Sequence, residues 1–381
     1  MRICFVVDYY PPHIGGGEMY ISKLAEGLAS RGDACVVVTM KTELSTPRIE
    51  KKGNLRIVRI GNPSRAGRAF FTFLAIPHVI AQAKKCDIIQ AASYGGAIPA
   101  FVAATLLKKK CIFIVYEFMG ALWKRLEPNW FKATFYRFVE KIIAVLPFHK
   151  FVANSRCTRH CLKSIGIESS KLEVVYGGQN VELLQGRADR KNARKELGLT
   201  GEDFVFLAYG RAGITKGMEY FVDAIPLIRR KIPQARFVLI LTRSDPRIWD
   251  HVQRTLSSLP ADSYRFFPGL PYQRLVENLS ASDCIVIPSL SDGFGFCVLE
   301  ACTFVKRVVA TDAGSIPEVI FGSHIMVQPG SSELLAEACW RAYQGKMDYL
   351  PPKTFRWEDT INRFRRIYEE ALGRAGVHSS C

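Results

Sequence analysis

The sequence predicts an α/β fold with two doubly wound domains in succession. Short, continuously apolar runs, typical of strands buried in parallel sheets, alternate with stretches of helical periodicity. The alternation occurs in two series, separated by a polar linker between Gly177 and about Glu202. A glycine-rich turn follows the first strand of each series, where open parallel sheets bind ligands. The 381 residues leave room for two or three domains of ordinary size.

The first series, residues 1–182, begins with the apolar strand Arg2–Val7. The turn Gly15–Gly17 follows, a helix with apolar residues at helical spacing starts at Glu18, and the next strand is Ala34–Thr39. The turn lacks the G-x-G-x-x-G spacing, which argues against a dinucleotide site. Further strands are predicted at Leu55–Ile60, Asp87–Gln90, Ile112–Tyr116, Lys150–Ala153 and Leu172–Val175, and a further helix at Ser155–Ile165.

The second series, residues 183–354, is followed by an amphipathic helix predicted over Phe355–Leu372. Two segments without charged residues, Ala69–Ala83 and Ile88–Leu107, contain proline and polar residues, so buried elements are favoured over membrane spans. The strands predicted in the second series are Phe204–Tyr209, Phe237–Leu241, Tyr264–Phe267, Cys284–Ile287, Arg307–Ala310 and His324–Val327.

The basic residues are concentrated in the first domain. Up to Glu182 there are 26 Lys or Arg against 13 Asp or Glu, a net charge of +13, and the remainder has 26 against 22, a net charge of +4. The excess predicts an anionic partner: a membrane surface, an anionic acceptor or nucleic acid. No nucleic-acid motif accompanies it, so an anionic membrane is favoured. The eleven scattered cysteines favour a reducing compartment, and we expect a cytoplasmic protein, peripheral on the inner face of the membrane.

The stretch from Ser289 to Glu300 combines two kinds of ligand-binding group. It joins the strand Cys284–Ile287 to a helix that starts near Val298, so free backbone N–H groups at the helix start suit an anion. The carboxylates of Asp292 and Glu300 would repel a phosphate but accept hydrogen bonds from hydroxyls. An anion together with hydroxyls predicts a sugar-nucleotide site. The alternative is an acidic loop with a solvent-facing Glu.

The turn Gly210–Gly217 places Arg211 and Lys216 beside glycines, after the first strand of the second series. Arg can bind two phosphate oxygens through parallel hydrogen bonds, and Lys contributes a compact charge. Together they would neutralise a diphosphate and stabilise the charge that develops as it leaves. The alternative is a pair of surface cations without a ligand.

Taken together, these motifs resemble the retaining nucleotide-sugar glycosyltransferases of the GT-B fold, specifically family 4. The matching motifs are Tyr10–Glu18, Gly210–Gly217, Asp292–Glu300, Val308–Glu318 and Phe355–Trp357. The resemblance implies two Rossmann-like domains facing a central cleft, an acceptor-binding domain at 1–182 and a nucleotide-sugar-binding domain at 183–354. It also implies that a C-terminal helix, 355–374, crosses back to complete the first domain.

The resemblance further implies roles for individual residues. Arg211 and Lys216 would hold the donor diphosphate, whereas Glu300 would bind the ribose hydroxyls. Asp292 would hold the transferred sugar, and Gly16 would close over the phosphate from the first domain. The implied donor-binding residues are Gly16, Gly210, Arg211, Lys216, Leu270, Asp292, Gly293, Phe294, Gly295, Leu299 and Glu300. The implied catalytic residues are Arg211, Lys216, Asp292, Tyr116 and Glu117.

The reaction implied by the resemblance moves a hexosyl group from a GDP- or UDP-sugar to an acceptor hydroxyl by a front-face displacement. The leaving diphosphate would accept the hydroxyl proton. Neither a cofactor nor a metal is expected, because Arg and Lys supply the positive charge.

The chain departs from the family pattern at two places. The family usually has Glu where this chain has Asp292, which changes the reach to the sugar hydroxyls. Many relatives have His after the strand Ile112–Val115, where this chain has Tyr116 and Glu117. Tyr116 could donate a hydrogen bond in place of that His, or be a packed aromatic at the strand end.

Aromatic and cationic residues are mixed at near-helical spacing in Leu122–Leu126 and Trp130–Phe138, as in interfacial membrane helices. We therefore expect a lipid-linked acceptor, while aromatics packed in the core are the alternative. An epimerase or glycogen-type transferase of the same fold is disfavoured, because the chain has no long acidic insert. A non-catalytic subunit that binds a nucleotide sugar or a partner protein is the alternative from another functional class.

Overall fold

The computed structural model describes residues 1–13, 15–61, 65–179, 189–304 and 307–374, without the side chains of 65–69. The chain divides into two compact units. The first holds Met1–Gly178 and the C-terminal segment from Phe355, and the second holds Gln179–Thr354. The boundary predicted after Glu182 falls outside the described residues.

The strands of the first unit form one sheet. They are β1 (Arg2–Val6), β2 (Ala34–Met40), β3 (Ile49–Lys52), β4 (Leu55–Ile60), β5 (Ile88–Ala92), β6 (Cys111–Val115), β7 (Lys150–Ala153) and β8 (Leu172–Val174). Their order across the sheet is β3-β4-β2-β1-β5-β6-β7-β8. Described neighbours pair in parallel except β3 and β4, which are antiparallel at one edge. The central strands are almost wholly buried, as expected where helices cover both faces.

Helices connect these strands. They are α1 (Gly16–Ser30), α2 (Arg65–Ala83), α3 (Tyr94–Leu107), α4 (Trp123–Leu126), α5 (Trp130–Val145) and α6 (Arg156–Ser164). The predicted start of α1 at Glu18 is two residues late, because Gly16 and Gly17 already lie in its first turn. The two charge-free segments form α2 and the β5–α3 pair. Among the described helices, none combines the length and apolarity needed to cross a bilayer.

The second unit contains a second sheet. Its described strands are β9 (Phe204–Ala212), β10 (Ala235–Arg243), β11 (Tyr264–Phe267), β12 (Cys284–Ile287), β13 (Val308–Thr311), β14 (Gly322–Val327) and β15 (Asp348–Leu350). Their order is β11-β10-β9-β12-β13-β14-β15, and only the edge strand β15 is antiparallel to its neighbour. The predicted doubly wound architecture is therefore present in both units.

The helices of the second unit follow the same alternation. They are α7 (Arg190–Glu196), α8 (Met218–Lys231), α9 (Pro246–Ser257), α10 (Tyr272–Ala281), α11 (Phe296–Phe304), α12 (Ile316–Val319) and α13 (Ser332–Tyr343). Helix α7 lies inside the stretch predicted to be a linker. It has no apolar stripe, and its buried residues are Ala193 and Arg194, so hydrophobic periodicity could not indicate it.

The C-terminal helix α14 (Trp357–Ala371) belongs to the first unit. Its apolar side is buried, and the Tyr368 hydroxyl donates a hydrogen bond to Gln90 Oε1 at 2.8 Å. The Thr360 hydroxyl donates to the carbonyl oxygen of Tyr176 at 2.8 Å. The helix therefore completes the core of the first unit, as the resemblance implied.

Candidate functional site

The loops after β9 and β12 lie side by side at the carboxyl edge of the second sheet. These strands are neighbours in the sheet. After β9 the chain continues to β10 on one side, and after β12 it continues to β13 on the other side, so a crevice opens between the two loops. The backbone N–H groups of Leu290 and Ser291 both donate to the carbonyl oxygen of Thr215, at 2.8 and 3.2 Å. The two motifs found in the sequence, Gly210–Gly217 and Asp292–Glu300, therefore meet at one place.

The Asp292 side chain links these two loops. Its Oδ2 lies 2.5 Å from Nζ of Lys216, an ion pair between residues far apart in sequence. Its Oδ1 accepts the backbone N–H of Gly295 at 2.8 Å. The Asp292 carbonyl oxygen also accepts the N–H and the hydroxyl of Ser315, at 2.9 and 3.1 Å. Asp292 thus connects three loops of the second unit.

Two glycines allow these loops to approach one another. Gly217, with φ +60°, directly precedes α8, and a Cβ there would lie 2.1 Å from the carbonyl oxygen of Pro288. Gly314, with φ +57°, would place a Cβ 2.3 Å from the carbonyl oxygen of Asp292. Any larger residue would clash with backbone and would also adopt a strained left-handed conformation.

Glu300 lies one turn into α11, at the inner end of the crevice. Its Oε2 accepts a hydrogen bond from the Tyr209 hydroxyl at 2.7 Å. Burial raises the pKa of the Glu300 carboxyl to about 7, and the Tyr209 hydrogen bond opposes the shift. Burial likewise raises the pKa of the Tyr209 hydroxyl well above its ordinary value. A carboxylate in this setting can accept hydrogen bonds from ligand hydroxyls.

Arg211 lies inside β9, not in a turn. The predicted strand end at Tyr209 is three residues early, because Gly210 to Ala212 pair in register with β10. Gly210 has φ +136°, which favours glycine. The Arg211 side chain is exposed and forms no hydrogen bond or ion pair with any described residue. It is thus available to an anion without the loss of an internal contact.

The other donor-binding residues expected in the second unit occupy different environments. Gly293 and Gly295 are on the loop before α11, and the backbone N–H of Gly295 is already used by Asp292. Phe294 and Leu299 are buried, with 2% and 1% exposure, so they support the loop from within. Leu270 is half-buried in the loop after β11, at the same carboxyl edge.

The residues expected from the first unit also lie near the carboxyl edge of their sheet. Gly16 is the first residue of α1, and Tyr116 and Glu117 follow β6. A Cβ on Gly17 would lie 3.1 Å from the Tyr116 ring, so the two pack closely. Burial raises the pKa of the Tyr116 hydroxyl well above its ordinary value.

Several polar residues at these edges were not singled out from the sequence. Tyr209, Thr215 and Ser315 act in the second unit as described above. In the first unit, Asp8 accepts the backbone N–H of Gly95 at 3.1 Å, and burial raises the pKa of its carboxyl to about 6. Because Asp8 follows the first apolar strand almost directly, its position in the sequence could have identified it.

The arrangement in the second unit can bind an anion and hydroxyl groups next to each other. Arg211 and Lys216 supply positive charge, while Asp292 and Glu300 supply acceptors. Among the residues that the structure describes, no group of three or more His, Cys, Asp or Glu side chains is placed to hold a metal ion.

Two family models match the chain. Residues 203–345 match the model described as glycosyl transferases group 1, and residues 14–183 match glycosyltransferase family 4. The two matches correspond closely to the second and the first unit.

Curated relatives give the same picture at low identity. D-inositol 3-phosphate glycosyltransferase of Gordonia bronchialis is 25% identical over 242 residues, which cover 58% of this chain and 52% of the relative. The chain thus spans about half the length of that relative. A subunit of human phosphatidylinositol N-acetylglucosaminyltransferase is 21% identical over 387 residues, 97% of this chain and 76% of the relative.

Solved structures share the fold. Sucrose-phosphate synthase of Thermosynechococcus elongatus aligns with a TM-score of 0.78 at 20% identity, covering 98% of this chain and 100% of that structure. Anabaena HepE in complex with UDP-glucose aligns with a TM-score of 0.75 at 17% identity, covering 97% and 100%. With both units matched by family models and the whole chain matched in fold, the protein belongs to the group 1, family 4 glycosyltransferases with the GT-B fold.

Proposed function

We propose that this protein is a retaining glycosyltransferase that moves a hexosyl group from a UDP- or GDP-sugar to a hydroxyl of a lipid-linked acceptor at an anionic membrane. The observation that carries the proposal is the crevice between β9 and β12. There, cations suited to a diphosphate and carboxylates suited to hydroxyls come from loops that bond directly to each other.

Each donor group has a partner of matching chemistry in this crevice. Arg211 and Lys216 bind the diphosphate and stabilise the charge that develops on it during transfer. Glu300 accepts hydrogen bonds from the ribose hydroxyls, and Asp292 accepts them from the transferred sugar. The cations carry out the charge neutralisation, so no metal is required. The leaving diphosphate accepts the proton of the acceptor hydroxyl.

Tyr116 and Glu117 are the catalytic residues assigned to the acceptor-binding unit. The Tyr116 hydroxyl donates a hydrogen bond in place of the histidine usual in relatives, and Glu117 accepts one from a hydroxyl. The UDP-glucose bound by HepE supports a UDP-sugar as donor. The human relative's name, which includes phosphatidylinositol, supports a lipid as acceptor.

The membrane part of the proposal rests on helix α5, whose apolar stripe faces solvent. The exposed residues along this stripe are Phe131 (67%), Phe135 (61%), Phe138 (58%), Ile142 (37%) and Val145 (78%). They recur at helical spacing, so they form one continuous face. In soluble monomeric proteins, an apolar face of this kind is normally packed against the interior.

The orientation of α5 is fixed by a buried carboxylate. The Glu140 carboxylate accepts hydrogen bonds from two side chains, the Tyr94 hydroxyl at 2.7 Å and Trp123 Nε1 at 2.9 Å. It also accepts the backbone N–H groups of Met119 and Gly120, at 2.9 and 2.8 Å. These bonds hold the side of the helix with Ala133, Glu140 and Ile143 inward and leave the aromatic stripe outward.

Cations accompany the aromatic stripe. Lys132 and Lys141 are exposed on α5, and Lys124 and Arg125 are exposed on α4. Aromatic rings beside lysine and arginine are the combination that interfacial helices use on anionic lipid. A lipid-linked acceptor would then be presented to the unit that carries the excess positive charge.

A nucleotide panel tests donor binding. We expect UDP, GDP and their hexose conjugates to raise the midpoint of thermal unfolding, with one base clearly preferred, because ligands that bind the folded state stabilise it. Arg211→Ala should abolish most of this shift. As a matched control, Arg230→Ala removes an exposed arginine in the last turn of α8 and should leave the shift intact. No stabilisation by any member of the panel would refute the assignment of the crevice.

A further inference from the structure

We propose that Asp292 is an internal counter-ion for Lys216 that competes with the diphosphate and thereby promotes release of the nucleoside diphosphate after transfer. This inference rests on the proposed function, in which Lys216 binds the diphosphate. It assigns Asp292 a second task besides accepting hydrogen bonds from the sugar.

The observation that carries it is the ion pair itself. Lys216 Nζ and Asp292 Oδ2 are 2.5 Å apart, and the two side chains are only 19% and 10% exposed. A pair so shielded from solvent is screened little by salt. A diphosphate that approaches Lys216 therefore meets an amine whose charge is already offset by a carboxylate.

The two cations of the site differ in this respect. Arg211 is exposed, and its side chain forms no hydrogen bond or ion pair with any described residue, so it can bind a diphosphate without breaking an internal bond. Lys216 can bind it fully only when the Asp292 carboxylate moves away, because an adjacent carboxylate and diphosphate repel each other. Lys216 is thus the cation at which binding and release are controlled.

The backbone of Asp292 is held in place whether or not the pair is formed. Its carbonyl oxygen accepts two hydrogen bonds from Ser315, and Gly314 packs directly against it. Rotation of the carboxylate away from Lys216 thus breaks only side-chain bonds, to Lys216 and to the N–H of Gly295, and leaves it within reach of Lys216.

The consequence is a difference between donor and product. In the donor complex, hydroxyls of the transferred sugar donate hydrogen bonds to the displaced carboxylate and offset the loss of the ion pair. After transfer the sugar is gone, so the carboxylate returns to Lys216 and weakens the hold on the nucleoside diphosphate. The product is therefore bound less tightly than the cations alone would bind it.

Calorimetric titration of UDP and GDP into the full chain tests this inference, because neither ligand carries a sugar. The variants are Asp292→Asn, which keeps an oxygen for the Gly295 N–H, Lys216→Gln, and the double variant. Asp262→Asn is the matched control. Asp262 is exposed and precedes β11, so it lies at the amino end of the strands, opposite the carboxyl end that carries the crevice.

We expect Asp292→Asn to bind the preferred nucleoside diphosphate about tenfold more tightly than the parent chain, as a charged competitor is removed. In the Lys216→Gln background the same substitution should change affinity less than about twofold. The Asp262→Asn variant should bind like the parent.

Unchanged or weaker binding by Asp292→Asn would overturn the inference, and so would equal tightening in both backgrounds, which indicates simple repulsion of the ligand. If Asp292→Asn does not fold, Asp292→Ala is measured with the same expectation. Absence of binding by the parent chain would refute the proposed function itself, whereas binding with the wrong response to Asp292→Asn refutes only the counter-ion role.

Discussion

At the scale of single residues, the two acids of the crevice have different surroundings. Glu300 is neutralised more readily than a surface carboxyl, since burial raises its pKa to about 7. Asp292 is instead held beside Lys216, where its charge is compensated. The two acids of one motif therefore have different environments, which fits different ligand groups.

The raised pKa of Glu300 predicts pH-dependent ligand binding. An ionised carboxylate can accept two hydrogen bonds from ribose hydroxyls, and the ionised fraction increases about tenfold between pH 6 and pH 8 for a pKa near 7. We expect affinity for the nucleoside diphosphate, measured by calorimetry, to rise by a similar factor across this range. Glu300→Gln serves as the control, because its binding retains only the pH dependence of the phosphate itself.

The same group affects stability in the opposite direction. Because its folded-state pKa lies above the ordinary value of 4.5, the folded protein keeps a proton that the unfolded chain releases. The free energy of unfolding should therefore decrease as pH rises from about 4.5 to about 7, and Glu300→Gln should flatten this part of the profile. A parent profile identical to that of the variant would contradict the burial of this carboxyl.

The close approach of two loops at Gly314 predicts a steric penalty. Gly314→Ala adds strain at positive φ and a Cβ 2.3 Å from the Asp292 carbonyl oxygen. Gly345→Ala is a matched control, since Gly345 has φ +76° but no atom within 4 Å of the added Cβ. In urea unfolding we expect Gly314→Ala to be the less stable by about 1–3 kcal/mol. Equal stabilities would show that the three loops do not depend on this contact.

The residues of the candidate site could be singled out from the sequence, but their contacts could not. Strand ends and glycines indicated Arg211, Lys216 and the two carboxylates of the Asp292–Glu300 motif. These residues lie where a parallel strand is followed by a helix, which is where such sheets bind ligands. The Lys216–Asp292 ion pair joins loops from different βα units, and only the strand order reveals that the loops are neighbours. The Tyr209–Glu300 hydrogen bond escaped prediction for the same reason.

At the scale of secondary-structure elements, helix α5 is unusual because hydrophobic periodicity gives its amphipathic character but not its orientation. Its sequence alone is compatible with an apolar stripe packed in the core. The structure instead buries Ala133, Glu140 and Ile143 and leaves the aromatic stripe in solvent. The buried carboxylate of Glu140, which accepts hydrogen bonds from surrounding donors, decides between the two orientations.

The outward stripe of α5 predicts membrane binding. In flotation with anionic vesicles the parent chain should float with the lipid at low salt and less at high salt, because screening weakens the contribution of the cations. Phe131→Ser combined with Phe135→Ser should reduce the bound fraction at least about tenfold, as each ring contributes apolar area. Tyr349→Ser, which changes a 68% exposed aromatic in β15, should not. Equal flotation of the α5 variant and the parent would refute the assignment.

Elements with a clear apolar pattern were predicted well, and polar ones were missed. The continuous apolar strands and the amphipathic C-terminal helix have the expected positions to within a few residues. The edge strands β3 and β15 pair antiparallel and are mostly exposed, so no apolar alternation indicated them. Their pairing depends on tertiary context, which sequence periodicity does not contain.

At the scale of the whole molecule, the proposed function assigns different chemical tasks to the two units. The second unit contains the cations and carboxylates of the proposed donor site, at one switch point of its sheet. The first unit carries the excess positive charge and the outward aromatic face. This division follows from the sequence asymmetry in charge, and it fits an enzyme that takes a soluble donor and an acceptor at a lipid surface.

The most direct test of the central claim is sugar transfer itself. The parent chain is incubated with UDP- and GDP-hexoses and anionic vesicles that contain inositol phospholipid or polyprenyl phosphate, and both nucleoside diphosphate release and glycosylated lipid are quantified. We predict a glycolipid product from one donor, with the anomeric configuration retained, and a loss of at least about a hundredfold in Arg211→Ala. Nucleoside diphosphate release at equal rates in the parent and in Arg211→Ala, without a glycolipid product, would contradict it.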